Sequence, residues 1–161
     1  MHDERFLAMS RLCLIAAALA LGVAPAAAGG RATPDPSLAP RQVVEIQLNA
    51  LQHNDDPHKD AGIERTWAFA HPYNKRITGP LGNFEAMIKG PQYRMLVDHR
   101  THAVQRIAVT DDFALFAVTV VPAKGPVVSY QWKLEKVRSG PFSGDWMTLA
   151  VSPPIRLGDS I

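Results

Sequence analysis

The stretch Phe113-Ala114-Leu115-Phe116-Ala117-Val118-Thr119-Val120-Val121 is apolar almost without interruption, and Pro122-Ala123-Lys124-Gly125 follows it. A short run rich in valine and phenylalanine, ended by proline and glycine, reads as a strand. Apolar residues on both faces of the pleat suit a central strand buried on both sides. Beyond the turn, Pro126 to Val137 alternates. Val128, Tyr130, Trp132 and Leu134 fall on one side, Ser129, Gln131, Lys133 and Glu135 on the other. A period of two sends the first set into a core and the second toward water. Two such strands joined by so short a turn form an antiparallel pair.

Working outward, Ala103–Val109 is a strand that Thr110-Asp111-Asp112 turns into the first, and Tyr93–Val97 is a shorter one before it. Arg138 to Gly144 holds Gly140, Pro141 and Gly144 and reads as a loop. Trp146–Val151 is the last strand, closed by Pro153-Pro154, and 153–161 is a tail. The first half has a different period. Pro40 suits a first helical turn, and Val44, Leu48 and Leu51 recur at i, i+4 and i+7. Arg41, Glu45, Asn49 and Gln52 take the other side. Ile63, Trp67 and Ala70 mark a second helix, with Asp60 as its expected cap and Pro72 ending it near Ala70. Tyr73–Gly79 reads as a connector. A third helix covers about Pro80–Lys89, with Leu81, Phe84, Met87 and Ile88 as its buried face, and Gly90-Pro91 stops it.

Helices first and consecutive antiparallel strands after them is an α+β order. Three N-terminal helices would pack on one face of a curved antiparallel sheet of four to five strands, in a single domain over 40–152. That build resembles the cone-shaped, nuclear-transport-factor-2-like fold, in which helices and concave sheet enclose a pocket.

The N-terminus reads as an address. Arg5 and Arg11 precede the apolar run Leu12–Leu21, Gly22 and Pro25 break it, and Ala26-Ala27-Ala28 offers small residues for a signal peptidase. The run is shorter than the ~20 apolar residues a bilayer span needs. The expectation is a signal peptide over 1–28, a flexible lead-in over 29–39, and an exported product, periplasmic or secreted, with no stable membrane insertion after cleavage. The one cysteine, Cys13, lies inside that run, so the exported form would be held by packing without disulfides. Ser10-Arg11-Leu12 before it, and apolar residues after it, argue against lipid attachment. A formal net charge of +2, spread along the chain, gives no basic footprint for nucleic acid.

Leu48-Asn49-Ala50-Leu51, Asn54-Asp55, Asp60-Ala61-Gly62-Ile63, Phe69-Ala70-His71-Pro72-Tyr73-Asn74, Thr78-Gly79-Pro80, Phe84, Met87 and the late Trp146-Met147-Thr148 together resemble the domain of unknown function 4864 family. The resemblance spans about Pro40 to Val151. It implies a small exported or organellar α+β domain of the nuclear-transport-factor-2-like superfamily, with no established activity. His71 stands where the resemblance implies a small residue, usually serine.

Four constellations are candidates for chemistry. His53, Asp55, Asp56, His58 and Asp60 are the densest set of metal-ligand types, but they lack the central glycine and closing glutamate of a calcium loop. They read as a solvated loop, and no metal is expected. His71, Tyr73, Asn74 and Thr78 gather where the second helix ends, and a histidine there suits a general base. Trp67, Tyr130, Trp132 and Trp146 are core aromatics that can also wall a pocket. His99 and His102 near a strand start read as an exposed pair. No G-x-S-x-G elbow and no glycine-rich phosphate loop occurs.

The leading expectation is an exported, non-catalytic domain that binds a small apolar ligand or a protein partner. Trp67, His71, Tyr73, Asn74 and Trp132 are its ligand-binding set, a homodimer is a further candidate assembly, and no cofactor is implied. The alternative is a small cofactor-free isomerase- or dehydratase-like enzyme, with His71 working beside a carboxylate such as Asp56 or Asp98.

Overall fold

In a computed structural model, residues 32–158 are described. The expected signal peptide, Gly29–Arg31 of the lead-in and residues 159–161 lie outside them. Ala32 and Leu38 pack against the core, so the described part of the lead-in is not the free segment expected.

Helix α1 (Pro40–Gln52) begins with Pro40 in its first turn and buries Val43, Val44, Gln47, Leu48 and Leu51. Helix α2 (Ala61–Ala68) buries Gly62, Ile63 and Thr66. The two helices touch at Gly62, where a Cβ would sit 2.1 Å from the Ala50 carbonyl oxygen; no larger residue fits without moving one helix. Asp60 does not cap α2 with its side chain. The caps come from Asn54 instead: its carbonyl accepts from the Gly62 N–H at 2.8 Å, and its Oδ1 accepts from the Ile63 N–H at 3.2 Å. Asp60 is turned away to Lys89, 2.6 Å from its Oδ2.

Among the described residues four α-helices form where three were expected. Pro72 ends α2 as expected, but it also opens α3 (Pro72–Thr78). Proline suits the first helical position, where its missing N–H would be unpaired anyway, although it breaks a helix interior. His71 completes the start, its Nδ1 accepting from the Tyr73 N–H at 3.1 Å. Helix α4 (Leu81–Lys89) buries Phe84 and Ile88. The expected strand at Tyr93–Val97 is a 3-10 turn over Arg94–Leu96, which buries Leu96.

Four strands follow in meander order: β1 (Thr101–Val109), β2 (Phe113–Val121), β3 (Val128–Lys136) and β4 (Trp146–Val151). All pairs are antiparallel. A fifth, β5 (Ile155–Arg156), joins β3 at Val128 and Ser129, so the expected tail adds to the sheet. Pro153-Pro154 ends β4 without preventing the chain from returning to β3. Register shifts between Arg106 and Ala108 and between Lys133 and Leu134 mark irregularities in β1 and in the β3–β4 pair. Such insertions bend a strand.

The helices cover one face. Ala114, Phe116, Val118 and Val120 of β2 are buried, while the residues between them are half-buried. The strand is therefore covered fully on one face only, because helices precede the sheet in the chain and nothing among the described residues follows to cover the other. In β3, Val128, Tyr130, Trp132 and Leu134 are buried, and Gln131 and Lys133 are exposed, as the alternation requires.

Candidate functional site

Between the helices and β3–β4 lies a cavity of about 190 Å³. Leu51, Phe84, Met87, Ile88 and Leu96 supply much of its apolar wall, and Gln47, Thr66, Trp132 and Thr148 are its buried polar members. Half-buried Asn74, Thr78, Tyr93 and Val151 belong to the same wall. The site exists because α1 carries a glutamine in an otherwise apolar stripe and because α3 holds Asn74 beside β4.

The buried polar groups are all committed. Gln47 Oε1 accepts from the Trp132 Nε1–H at 3.1 Å and from the Thr148 hydroxyl at 2.6 Å. Its Nε2 donates to the Thr66 carbonyl at 3.0 Å, and Thr66 Oγ1 donates to the Gly62 carbonyl at 2.9 Å. Asn74 Nδ2 donates to the Thr148 carbonyl at 3.2 Å, which also accepts from the His71 N–H at 2.9 Å. The Tyr93 hydroxyl donates to the Val151 carbonyl at 3.0 Å. Burial pushes the Tyr93 phenol above its usual range. Tyr130, stacked 6.3 Å from it, is pushed up to about 12 by burial and by Tyr93. Both are neutral at physiological pH.

Of the five expected ligand-binding residues, the structure brings Asn74 and Trp132 to the cavity wall. Trp67 stands behind it, its ring 5.0 Å from that of Phe84, with the Lys75 ammonium 5.3 Å from the centre of the Trp67 ring. His71 and Tyr73 are not in the wall; Tyr73 is half exposed at 52%, with the Arg76 guanidinium 5.4 Å from its ring. Burial holds the His71 imidazole below its usual range, with Glu135 pulling it up and Arg76 pushing it down. Neither Asp56 nor Asp98 hydrogen-bonds to it: Asp98 Oδ1 accepts from the Asn54 N–H at 3.2 Å.

The loop carboxylates serve the loop. Asn54 Nδ2 donates to Asp55 Oδ1 at 2.9 Å and to Asp60 Oδ1 at 3.1 Å, and His58 Nε2 meets Glu64 Oε2 at 3.0 Å. Among the described residues no three groups of metal-ligating type converge.

Sequence reasoning missed Gln47, Thr66 and Thr148, whose only signal is a polar residue inside an apolar stripe. It also misplaced His99, which is 2% exposed and hydrogen-bonded to His102. No family model matches this chain, and no curated protein and no solved structure is significantly similar to it.

Proposed function

We propose that this chain is an exported, non-catalytic domain that binds a small, uncharged, largely apolar molecule in the cavity between its helices and its sheet. One observation carries the proposal. The cavity wall contains no carboxylate, imidazole, amine or thiol, and its buried polar groups already satisfy one another. Proton transfer or nucleophilic attack needs a group with a lone pair or a proton to spare. Apolar contact needs only room. A dry cavity of roughly 150 Å³ lined by Leu, Ile and Phe is enough for benzene, so the volume suits a ligand built around one ring or a short branched chain. The helix layer over an antiparallel sheet is also what a nuclear-transport-factor-2-like cone would require, with α3 as an added helix at its rim.

The test is native mass spectrometry of the purified protein for a co-purified small molecule, followed by toluene titration. Saturable toluene binding at one site, with Kd about 1 mM or tighter, is expected. Ala150→Phe, which brings a ring to the cavity wall from an exposed position on β4, should abolish it. The absence of both a retained molecule and saturable toluene binding would overturn the proposal.

A further inference from the structure

His99 and His102 stand outside the cavity wall and form a chain with Glu45 of α1. His99 Nδ1 is 2.7 Å from the Leu96 carbonyl oxygen. His99 Nε2 is 2.7 Å from His102 Nδ1, and His102 Nε2 is 3.2 Å from Glu45 Oε2. The first link determines the others. A backbone carbonyl only accepts, so His99 Nδ1 carries a hydrogen. Neutral His99 then has its lone pair on Nε2 and accepts from the His102 Nδ1–H. A neutral His102 would in turn point the lone pair of Nε2 at a carboxylate oxygen, acceptor against acceptor. All three links are hydrogen bonds only when the chain holds one proton more than two neutral imidazoles and an ionised Glu45. In that state either His102 donates from both ring nitrogens, or His99 does and a neutral His102 donates its Nε2–H to Glu45; the deep burial of His99, 2% exposed, favours the first.

We infer that this hydrogen-bonded chain is a proton-counting latch between Glu45 of α1 and the Leu96 carbonyl, unbroken with one extra proton and broken at one link with none or with two. With none, the His102–Glu45 link is lost. With two on the rings, His99 Nε2 and His102 Nδ1 both carry hydrogens, and the link between them is lost. Every ring nitrogen is engaged, so the chain offers no free position to a substrate or a metal.

The surroundings agree with that count. From α1, Arg41 Nη2 lies 3.3 Å from the other Glu45 oxygen, Oε1. From the loop after α1, His53 turns its Nδ1 to the Asn49 carbonyl at 3.1 Å. The segment before β1 brings Asp98, bound to the Asn54 N–H, and Arg100, whose carbonyl accepts from Gln52 at 2.6 Å. From β2, the partner opposite His102 is uncharged Val120. Burial is the largest influence on His99 and holds its imidazole below the usual range; the Leu96 carbonyl and Asp98 pull it up, and His102 and His53 push it down. His99 thus resists a second proton, and the extra one belongs to the His102–Glu45 end.

The latch acts on the cavity through its two anchors. Leu96 lines the cavity, and Glu45 sits on the helix that supplies Gln47 and Leu51 to the same wall. Breaking either link uncouples Leu96 from Glu45, while the Gln52 amide on the Arg100 carbonyl and the Asp98 N–H on the Leu51 carbonyl still hold α1 to the 96–102 segment. This consequence rests on the proposed binding function, whereas the proton count does not.

The test is nitrogen NMR of the imidazoles in the full chain, with toluene affinity measured from about pH 4 to about pH 9, the span around an ordinary histidine. His99 should appear as the neutral Nδ1–H form and His102 as doubly protonated across a plateau. Toluene affinity should fall about fivefold on either side of it. Glu45→Gln sharpens the test, since its amide N–H can donate to a neutral His102 Nε2. The loss on the alkaline side should vanish in this variant, and the loss on the acid side should remain. Two neutral rings across the plateau, or an alkaline loss unchanged in Glu45→Gln, would overturn the latch. Absence of toluene binding at every pH would overturn the cavity proposal instead, and the ring-nitrogen signals would still decide the latch.

Discussion

Two polar chains tie α1 to the sheet, the first buried and the second half-buried, and they differ in what closes them. Gln47 reaches Trp132, Thr148 and Thr66; Glu45 reaches His102 and through it His99. In the first, an amide supplies an acceptor to two donors and a donor to one carbonyl, so every link closes with neutral groups. In the second, a chain that begins and ends on acceptors closes only with an added proton. Two residues of separation on one helix thus divide a cluster that ignores pH from one that counts protons. A buried polar cluster rigidifies a core only while every member is satisfied, so the first is a fixed support and the second a conditional one.

The largest expected effect tests the fixed support. Trp132 is 1% exposed, is central to the first cluster and lines the cavity. Trp132→Ala should cost ~3–5 kcal/mol in urea denaturation. A loss below ~1 kcal/mol would place the ring at the surface and reverse the register of β3.

Gln47→Leu probes the difference itself. It keeps the apolar stripe of α1 but removes the acceptor of the buried Thr148 hydroxyl and one of the two acceptors of the Trp132 N–H, which keeps Thr148 Oγ1 at 3.1 Å. The cost should be about 1–3 kcal/mol, read from denaturation midpoints. It should be flat between about pH 5 and pH 8, because none of these groups titrates there. A cost that varied with pH across this range would mean that the two chains are coupled and would break the distinction.

Much of the frame is legible in the sequence because it is written in local periods. The alternation over Val128–Glu135, the helical stripe of Val44, Leu48 and Leu51, and the stops at Gly90-Pro91 all appear where they were expected. The failures share a cause. Pro72 carries two local meanings, a stop and a start, and only the turn of His71 toward Tyr73 chooses between them. Asp60 has the chemistry of a cap, but Asn54 is held closer to the helix start by the α1–α2 contact at Gly62. His99 and His102 look exposed because their neighbours in sequence, Asp98, Arg100 and Thr101, are polar; their partner Glu45 is 57 residues from His102. Gln47 and Thr148 are 101 residues apart. Periodicity reports which face is buried, but it does not report which polar groups meet there.

The smallest expected effect concerns His71, a histidine satisfied without any extra proton. Its Nδ1 accepts from the Tyr73 N–H, so the neutral ring caps α3 and protonation of Nδ1 would lose the cap. Burial, the largest influence, holds its folded-state value below the ordinary one near 6.5. As pH falls, the unfolded chain therefore takes the proton first. The contribution to stability is present above the ordinary value and is lost as pH drops through the lower, folded one. Serine at this position is also a good N-cap acceptor and carries no such proton. His71→Ser should leave stability at about pH 8 within ~0.5 kcal/mol of the parent and flatten the decline toward about pH 5. Toluene affinity should not move, because His71 is not in the cavity wall. Denaturation midpoints at the two pH values and one toluene titration decide the matter. A change in affinity beyond about twofold, which is ~0.4 kcal/mol, would bring His71 into the site and restore the enzymatic alternative. No change would leave it as a cap, whose neutral form closes its hydrogen bond without the added proton that the latch needs.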